Sequence, residues 1–369
     1  MKIAPFKLER AFAEYEFKAR YLLSPSDCES LSLTELLAMA DEDSRDLWDS
    51  LSLGYTESQG HPRLLEAISR FYKRINPDKI LIAAPEEAIF IILNTLLNPG
   101  DQVIVLFPAY QSLYAIPEAI GCEVLRWQIQ AELDGWHLDL NWLEDHLSSH
   151  TRLLVLNFPH NPTGYLPDHA EFNAIISMAR RHGVVVLSDE MYRGLEYNPE
   201  QRLPAMADHY EMGISLSGLS KTYALPGLRL GWLATKNQEW VKDWLALKDY
   251  TTICLSAPSE ILGLIGIQNA ETIANRNLEI VQTNLRTVHA FSERHSSSLS
   301  WLEPRAGSVA FPRWIGTGTV NDLCQAAIDR YGVMIVSGSI FDYPGDHFRI
   351  GLGRKNLKEA FSKIEPLFD

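Results

Sequence analysis

SGLSKTYALPGLRLGW, residues 217–232, sets one lysine, Lys221, just past a β-rich run and inside a short segment of serine, glycine and tyrosine. A lysine in such a place is taken out of water once the flanking strands are covered. Desolvation disfavours the ammonium form and lowers the pKa, which is what a lysine that forms a Schiff base needs. Taken alone, a lysine between strands is more often a solvated loop residue, so its surroundings decide the reading.

Working outward, the runs KILIAA, QVIVLFP, CEVLRWQ, RLLVLNFP, VVVLSDE, GISLSGLS and RLGWLAT alternate with longer helical patterns between residues 79 and 235. Several are apolar throughout, as expected of strands covered by helices on both faces. The segments between them are long enough for crossover helices, which predicts an α/β layer fold with a mostly parallel sheet. One long helical stretch follows, Ala257 to His295, and then β-type pieces at Ser308–Trp314, Val333–Ser337 and Phe348–Leu352. Three parts are expected: an N-terminal segment over 1–45 that joins the small domain, a large domain over 46–275, and a small C-terminal α+β domain over 276–369. The 369 residues, 46% of them hydrophobic, supply enough core for both domains.

The formal net charge of −14 argues against general nucleic-acid binding, since no basic patch concentrates against it. No run is long and apolar enough to span a bilayer, and the charged alternation from Lys7 to Arg20 is unlike a signal peptide. Cys28, Cys122, Cys254 and Cys324 have no paired spacing, so they read as free thiols in a reducing compartment, the cytoplasm.

Two further blocks precede the lysine segment: NFPHNPTG, Asn157 to Gly164, and SDEMY, Ser188 to Tyr192. In order and spacing the three blocks resemble those of the class I/II aminotransferases, which are fold-type I pyridoxal-phosphate enzymes. The likeness extends more loosely from about Gly54 to Arg354. It implies a mostly parallel seven-stranded sheet between helices, with a smaller α+β domain. It also implies pyridoxal 5'-phosphate held as a Schiff base on Lys221. Asp189, ending the strand VVVLSDE, matches the carboxylate that keeps the cofactor's pyridine nitrogen protonated, so that the ring works as an electron sink. Strand alternation points the neighbouring Glu190 away from it. Asn161 and Tyr192 match donors to the phenolate oxygen, with Tyr192 grouped with Lys221 and Asp189 as catalytic. Tyr110 in FPAYQSLY matches the aromatic that stacks on the ring.

For the phosphate the resemblance implies Arg229, a planar guanidinium suited to bidentate anion recognition, and the hydroxyl of Ser220. Ala84-Pro85-Glu86-Glu87-Ala88 resembles the loop whose amides cradle the phosphate at a helix N-terminus. Pro85 has no amide to give, so Glu86 and Glu87 would supply theirs with side chains turned away. Gly218 stands where many relatives have a Ser or Thr that contacts the phosphate. Tyr55 in LGYTESQG matches a tyrosine sent to the neighbouring subunit's phosphate, which implies a homodimer with shared active sites. Arg349 in HFRIGLGR matches the arginine that forks onto the substrate carboxylate, with Arg354 as its rival and Asn161 beside it.

The implied activity is transamination between an L-amino acid and a 2-keto acid, with ping-pong kinetics. A lyase, decarboxylase, racemase or cyclase on the same cofactor is the first alternative, and a catalytically silent binding or regulatory protein a remote one. Gly316-Thr317-Gly318 begins like a dinucleotide loop but lacks its third glycine. His146 and His150 have the spacing of ligands on one helical turn without a third partner, so no metal site is expected. The opening fifty residues, with Tyr15, Tyr21 and Cys28, are candidates to close over the substrate without naming it.

Overall fold

The seven apolar runs form the seven strands of one sheet in the computed structural model, which describes residues 2–369. They are β1 (Ile80–Ala83), β2 (Gln102–Phe107), β3 (Glu123–Gln128), β4 (Thr151–Asn157), β5 (Val185–Asp189), β6 (Gly213–Gly218) and β7 (Gly231–Thr235). Their spatial order is β1-β7-β6-β5-β4-β2-β3, and only β7 runs antiparallel to its neighbours. Successive side chains alternate between the faces. Ile104, Leu154, Leu156 and Val186 enter one apolar cluster, and Val103, Val105, Leu153, Val155 and Leu187 enter the other. A sheet buried on both sides has only its strand ends free for chemistry. Across β4, β5 and β6 the register sets Asn157 beside Asp189 and Asp189 beside Leu216, so the carboxyl ends are level.

The stretch expected as one helix from Ala257 to His295 is two, broken at Asn269. The Asn269 side-chain amide donates to the carbonyls of Met39 at 3.1 Å and Ile265 at 2.9 Å, offering the backbone an alternative to continuing the helix. The N-terminal segment divides. Strand Tyr21–Leu22 pairs in parallel with Val333–Met334 of the C-terminal lobe. Helices Leu33–Leu37 and Glu42–Asp49 instead lie beside Ala257–Gln268, with Leu36 packed among Leu262, Leu264 and Ile265. Helix α1 (Lys7–Tyr15) precedes both. In the C-terminal lobe β8 (Phe348–Gly351) is the centre of a three-stranded antiparallel sheet, between Val309–Ala310 and Val336–Ser337. Among the described residues no helix is long and apolar enough to cross a membrane.

Candidate active site

Beyond the carboxyl ends of β4, β5 and β6 lies a cavity of about 600 Å³. Every residue matched above to a catalytic, cofactor or carboxylate-binding role lines it, except Glu87, Tyr55 and the rival arginine Arg354. The loop after β4 brings Asn161, the end of β5 Asp189, the turn after it Tyr192, and the turn after β6 Ser220 and Lys221. β8 brings Arg349 from the other lobe.

Asp189 is buried and, among the described residues, in no ion pair; one oxygen accepts the Met191 backbone N–H at 3.1 Å, and burial pushes its carboxyl up to about 6. A carboxylate held there suits a cationic neighbour. Glu190 does point away, accepting the Met206 N–H at 2.7 Å and the Ser215 hydroxyl at 2.8 Å. The Lys221 ammonium donates to the Ser26 hydroxyl at 3.0 Å, and burial lowers its pKa, with Asp27 opposing. Tyr192 is buried, which raises its hydroxyl pKa and keeps it a donor.

Arg349 is 1% exposed and has no acidic partner. Its Nε donates to the Ser24 carbonyl at 2.9 Å and its Nη1 to Asn161 Oδ1 at 3.2 Å. That second bond occupies the Asn161 oxygen and leaves its NH₂ group to donate elsewhere. Arg354 is placed differently: it is held by both oxygens of Asp27, at 3.1 and 2.8 Å.

One expectation about the phosphate end needs correction. The Glu86 side chain does not turn away but lines the cavity, where burial pushes its pKa up to about 7. Glu87 does turn away, its Oε1 accepting from the Thr252 hydroxyl at 2.7 Å. Gly218 has a steric reason: a Cβ there would lie 3.0 Å from both Gly231 Cα, which opens β7, and the carbonyl of Leu230 just before it. Gly218→Ser should therefore not improve cofactor affinity but cost about 1–3 kcal/mol of stability. Thermal melts alongside cofactor titration check this; tighter binding without a loss of Tm would refute it.

His146 and His150, spaced as on one helical turn, share none. The helix ends at His146, which stacks on Trp142 at 3.9 Å, and His150 lies in the loop beyond. Tyr55 is 91% exposed and outside its own chain's cavity. Sequence reading missed His160, whose ring bridges Thr163 Oγ1 at 2.7 Å and the Pro108 carbonyl at 2.9 Å, with burial lowering its pKa to about 3. A neutral imidazole thus ties the Asn161 loop to the Tyr110 loop. It also missed Glu9, Phe12, Glu16, Ser26 and Asp27, which line the cavity in place of the suspected Tyr15, Tyr21 and Cys28. The readable signal was the i, i+3, i+7 spacing of Glu9, Phe12 and Glu16 on one helix face.

The sequence profile of the family described as aminotransferase class I and II matches residues 35–364. The chain belongs to that family. Among its relatives, capreomycidine synthase of Streptomyces vinaceus is 31% identical over 363 residues, covering 97% of this chain and 92% of that protein. A PLP-dependent aminotransferase from Streptococcus suis superposes with a TM-score of 0.92 at 30% identity, over 100% of this chain and 99% of that one. A PLP-dependent cyclase, OrfR, superposes with a TM-score of 0.90 at 25% identity, over 100% and 98%. The protein is thus an enzyme of the pyridoxal-phosphate-dependent class I/II type. Its residues fit that cofactor. Ser220 Oγ is buried without a hydrogen-bond partner, Asp189 lacks a cation, and Lys221 is desolvated, all around one cavity.

Proposed function

We propose that the enzyme transfers the α-amino group of an L-amino acid to a 2-keto acid. The observation that carries this reading is the convergence of half-buried Lys221 with buried Asp189 and Arg349, from three separate elements, on one cavity. Bound pyridoxal phosphate supplies an electron sink for the pair left when a bond to the substrate's α-carbon breaks. Lys221 Nζ would hold the cofactor as a Schiff base, and as a free amine it would be the base that takes the substrate's α-proton and returns it. Asp189 would keep the ring nitrogen protonated, and Tyr192 and Asn161 would donate to the phenolate oxygen. Tyr110 covers the ring. Arg229, Ser220 and the amides that open helix α2 (Pro85–Leu96) hold the phosphate. Arg349 takes the substrate carboxylate as a fork. Release of one keto acid before the next enters gives ping-pong kinetics.

A second reading, cyclisation of the amino acid, has its own support in the capreomycidine synthase and the cyclase among the relatives. Loaded enzyme mixed with single amino acids and no keto acid separates the two. Stoichiometric keto acid with the amino group left on the cofactor supports transamination; catalytic formation of a ring product that retains the α-nitrogen would replace it with the second reading. The exposed Tyr55 supports a homodimer in which it reaches the partner's phosphate, and four free cysteines support a cytoplasmic location.

Arg229 adopts left-handed backbone, φ +51°. Arg229→Gly should relieve strain and stabilise the cofactor-free protein by about 0.5–1 kcal/mol. Losing the charged contact should weaken cofactor binding about tenfold to a hundredfold. Melting temperatures with and without cofactor should therefore move in opposite directions; a fall in both would show that Arg229 is structural only.

A further inference from the structure

We infer that the substrate's side chain ends in a positive charge, a guanidinium or an ammonium, held by Glu9 and Glu16 at the mouth of the cavity. The inference rests on the proposed reading of the cavity as an amino-acid site and deepens it. Helix α1 runs past the opening with Glu9, Phe12 and Glu16 all lining it, Glu16 capping the helix end in helical conformation. Residues seven apart are two turns apart on one face, so their Cα atoms lie about 10 Å from each other. Phe12 stands between the two carboxylates, and the Arg349 guanidinium carbon is 5.8 Å from its ring centroid. An amino acid anchored by its carboxylate on Arg349 therefore has both acids within the space open to its side chain.

Charge balance singles these two out. Five acids line the cavity: Glu9, Glu16, Asp27, Glu86 and Asp189. Asp27 is neutralised by Arg354 at 2.8 Å. Asp189 faces the cofactor's ring nitrogen, and Glu86 sits at the phosphate end on α2. The cavity's cations are equally committed: Lys221 to the cofactor, Arg229 to the phosphate, Arg349 to the carboxylate. Among the described residues neither Glu9 nor Glu16 is in an ion pair; Glu9 accepts only the Tyr110 hydroxyl, at 2.9 Å. Burial, then Asp27 and Glu9, raise the Glu16 pKa, an unfavourable arrangement that a cation between the carboxylates relieves.

The acids are not the sole sign of a ligand. Arg349 is 1% exposed, faces the same cavity and has no acidic partner, and the Ser220 hydroxyl is buried there without a partner. A ligand that is anionic near Arg349 and cationic near α1 matches both ends; a substrate with an acidic side chain sets like charges together.

The test uses the cofactor-loaded enzyme and two acids that lack an α-amine and so cannot react, 5-guanidinopentanoate and hexanoate. By calorimetry the guanidino acid should bind about tenfold or more tightly than hexanoate. The double variant Glu9→Gln, Glu16→Gln should lose that preference and keep its affinity for hexanoate. Equal binding of the two acids, or a preference unchanged in the double variant, would overturn the inference. A parallel panel follows the cofactor absorbance with arginine, lysine, alanine and aspartate. Response to arginine or lysine at the lowest concentration supports the inference. Response to alanine or aspartate at lower concentrations overturns it while leaving the proposed function standing. If no amino acid changes the spectrum yet the guanidino acid is preferred, the proposed function fails and the cation site remains.

Discussion

Lys221→Ala should reduce turnover by at least about 10²–10⁴-fold, the usual contribution of a positioned acid–base group, while leaving the fold intact. The chain loses little stability because the Lys221 ammonium makes one hydrogen bond, to Ser26, and its burial already disfavours the charge. The Tm of the cofactor-free variant should therefore be unchanged or higher. Borohydride treatment followed by peptide mapping should fix the cofactor on Lys221 in the native enzyme and nowhere in the variant. Cofactor should still bind, since Arg229, Ser220 and Asp189 remain. Partial recovery of turnover by added methylamine would show that the missing element is an amine base. A variant that still turns over at the native rate, or carries a reduced label on another lysine, removes Lys221 from the mechanism.

Asp189→Asn should keep the cofactor bound but cost about 10²–10³ in kcat, the scale for removing one preorganised electrostatic partner. The amide has nearly the carboxylate's shape and can still accept the Met191 N–H, so geometry is preserved and the negative charge is lost. Stability should move the other way. Without cofactor, the Asp189 carboxyl is pushed up from 3.8 to about 6, so the folded state binds the proton more tightly than the unfolded chain. Stability then falls as pH rises from near 3.8 through about 6, by on the order of 3 kcal/mol, and stays reduced above. The cofactor-free asparagine variant should consequently match the native protein near pH 4 and exceed it at pH 7–8. Glu190→Ala is the control next door: it strands the Met206 N–H and the Ser215 hydroxyl, costing about 1–3 kcal/mol of stability with kcat nearly unchanged. If Asp189→Asn and Glu190→Ala reduce kcat equally, the assignment of the ring-nitrogen partner is wrong.

The sheet was legible in the sequence, and so was the cluster of residues proposed for the cofactor, because both are carried by local blocks that resemble the family's. Buried parallel strands are short apolar runs, and each ends where its chemistry begins: Asp189 closes β5, Asn161 follows β4 by four residues, and Lys221 follows β6 by three. Strand periodicity set Asp189 and Glu190 on opposite faces, and the family resemblance marked Asp189 as the one proposed to meet the cofactor. The substrate end is written across the chain, and only tertiary packing assembles it. Whether Arg349 or Arg354 faces the cavity depended on Asp27, more than three hundred residues earlier, which takes Arg354 out of play. Glu9 and Glu16 are unremarkable charges on a short amphipathic helix until α1 is laid beside Tyr110 and Phe12 comes near Arg349. The break at Asn269 and the need for glycine at 218 likewise reside in contacts, with Met39 in one case and with β7 in the other. Local pattern determines which elements form, because burial and backbone pairing act within a few residues. Which charges are left without a partner inside a cavity is a property of the packed whole, because a charge's energy depends on whatever the fold brings within a few ångströms of it.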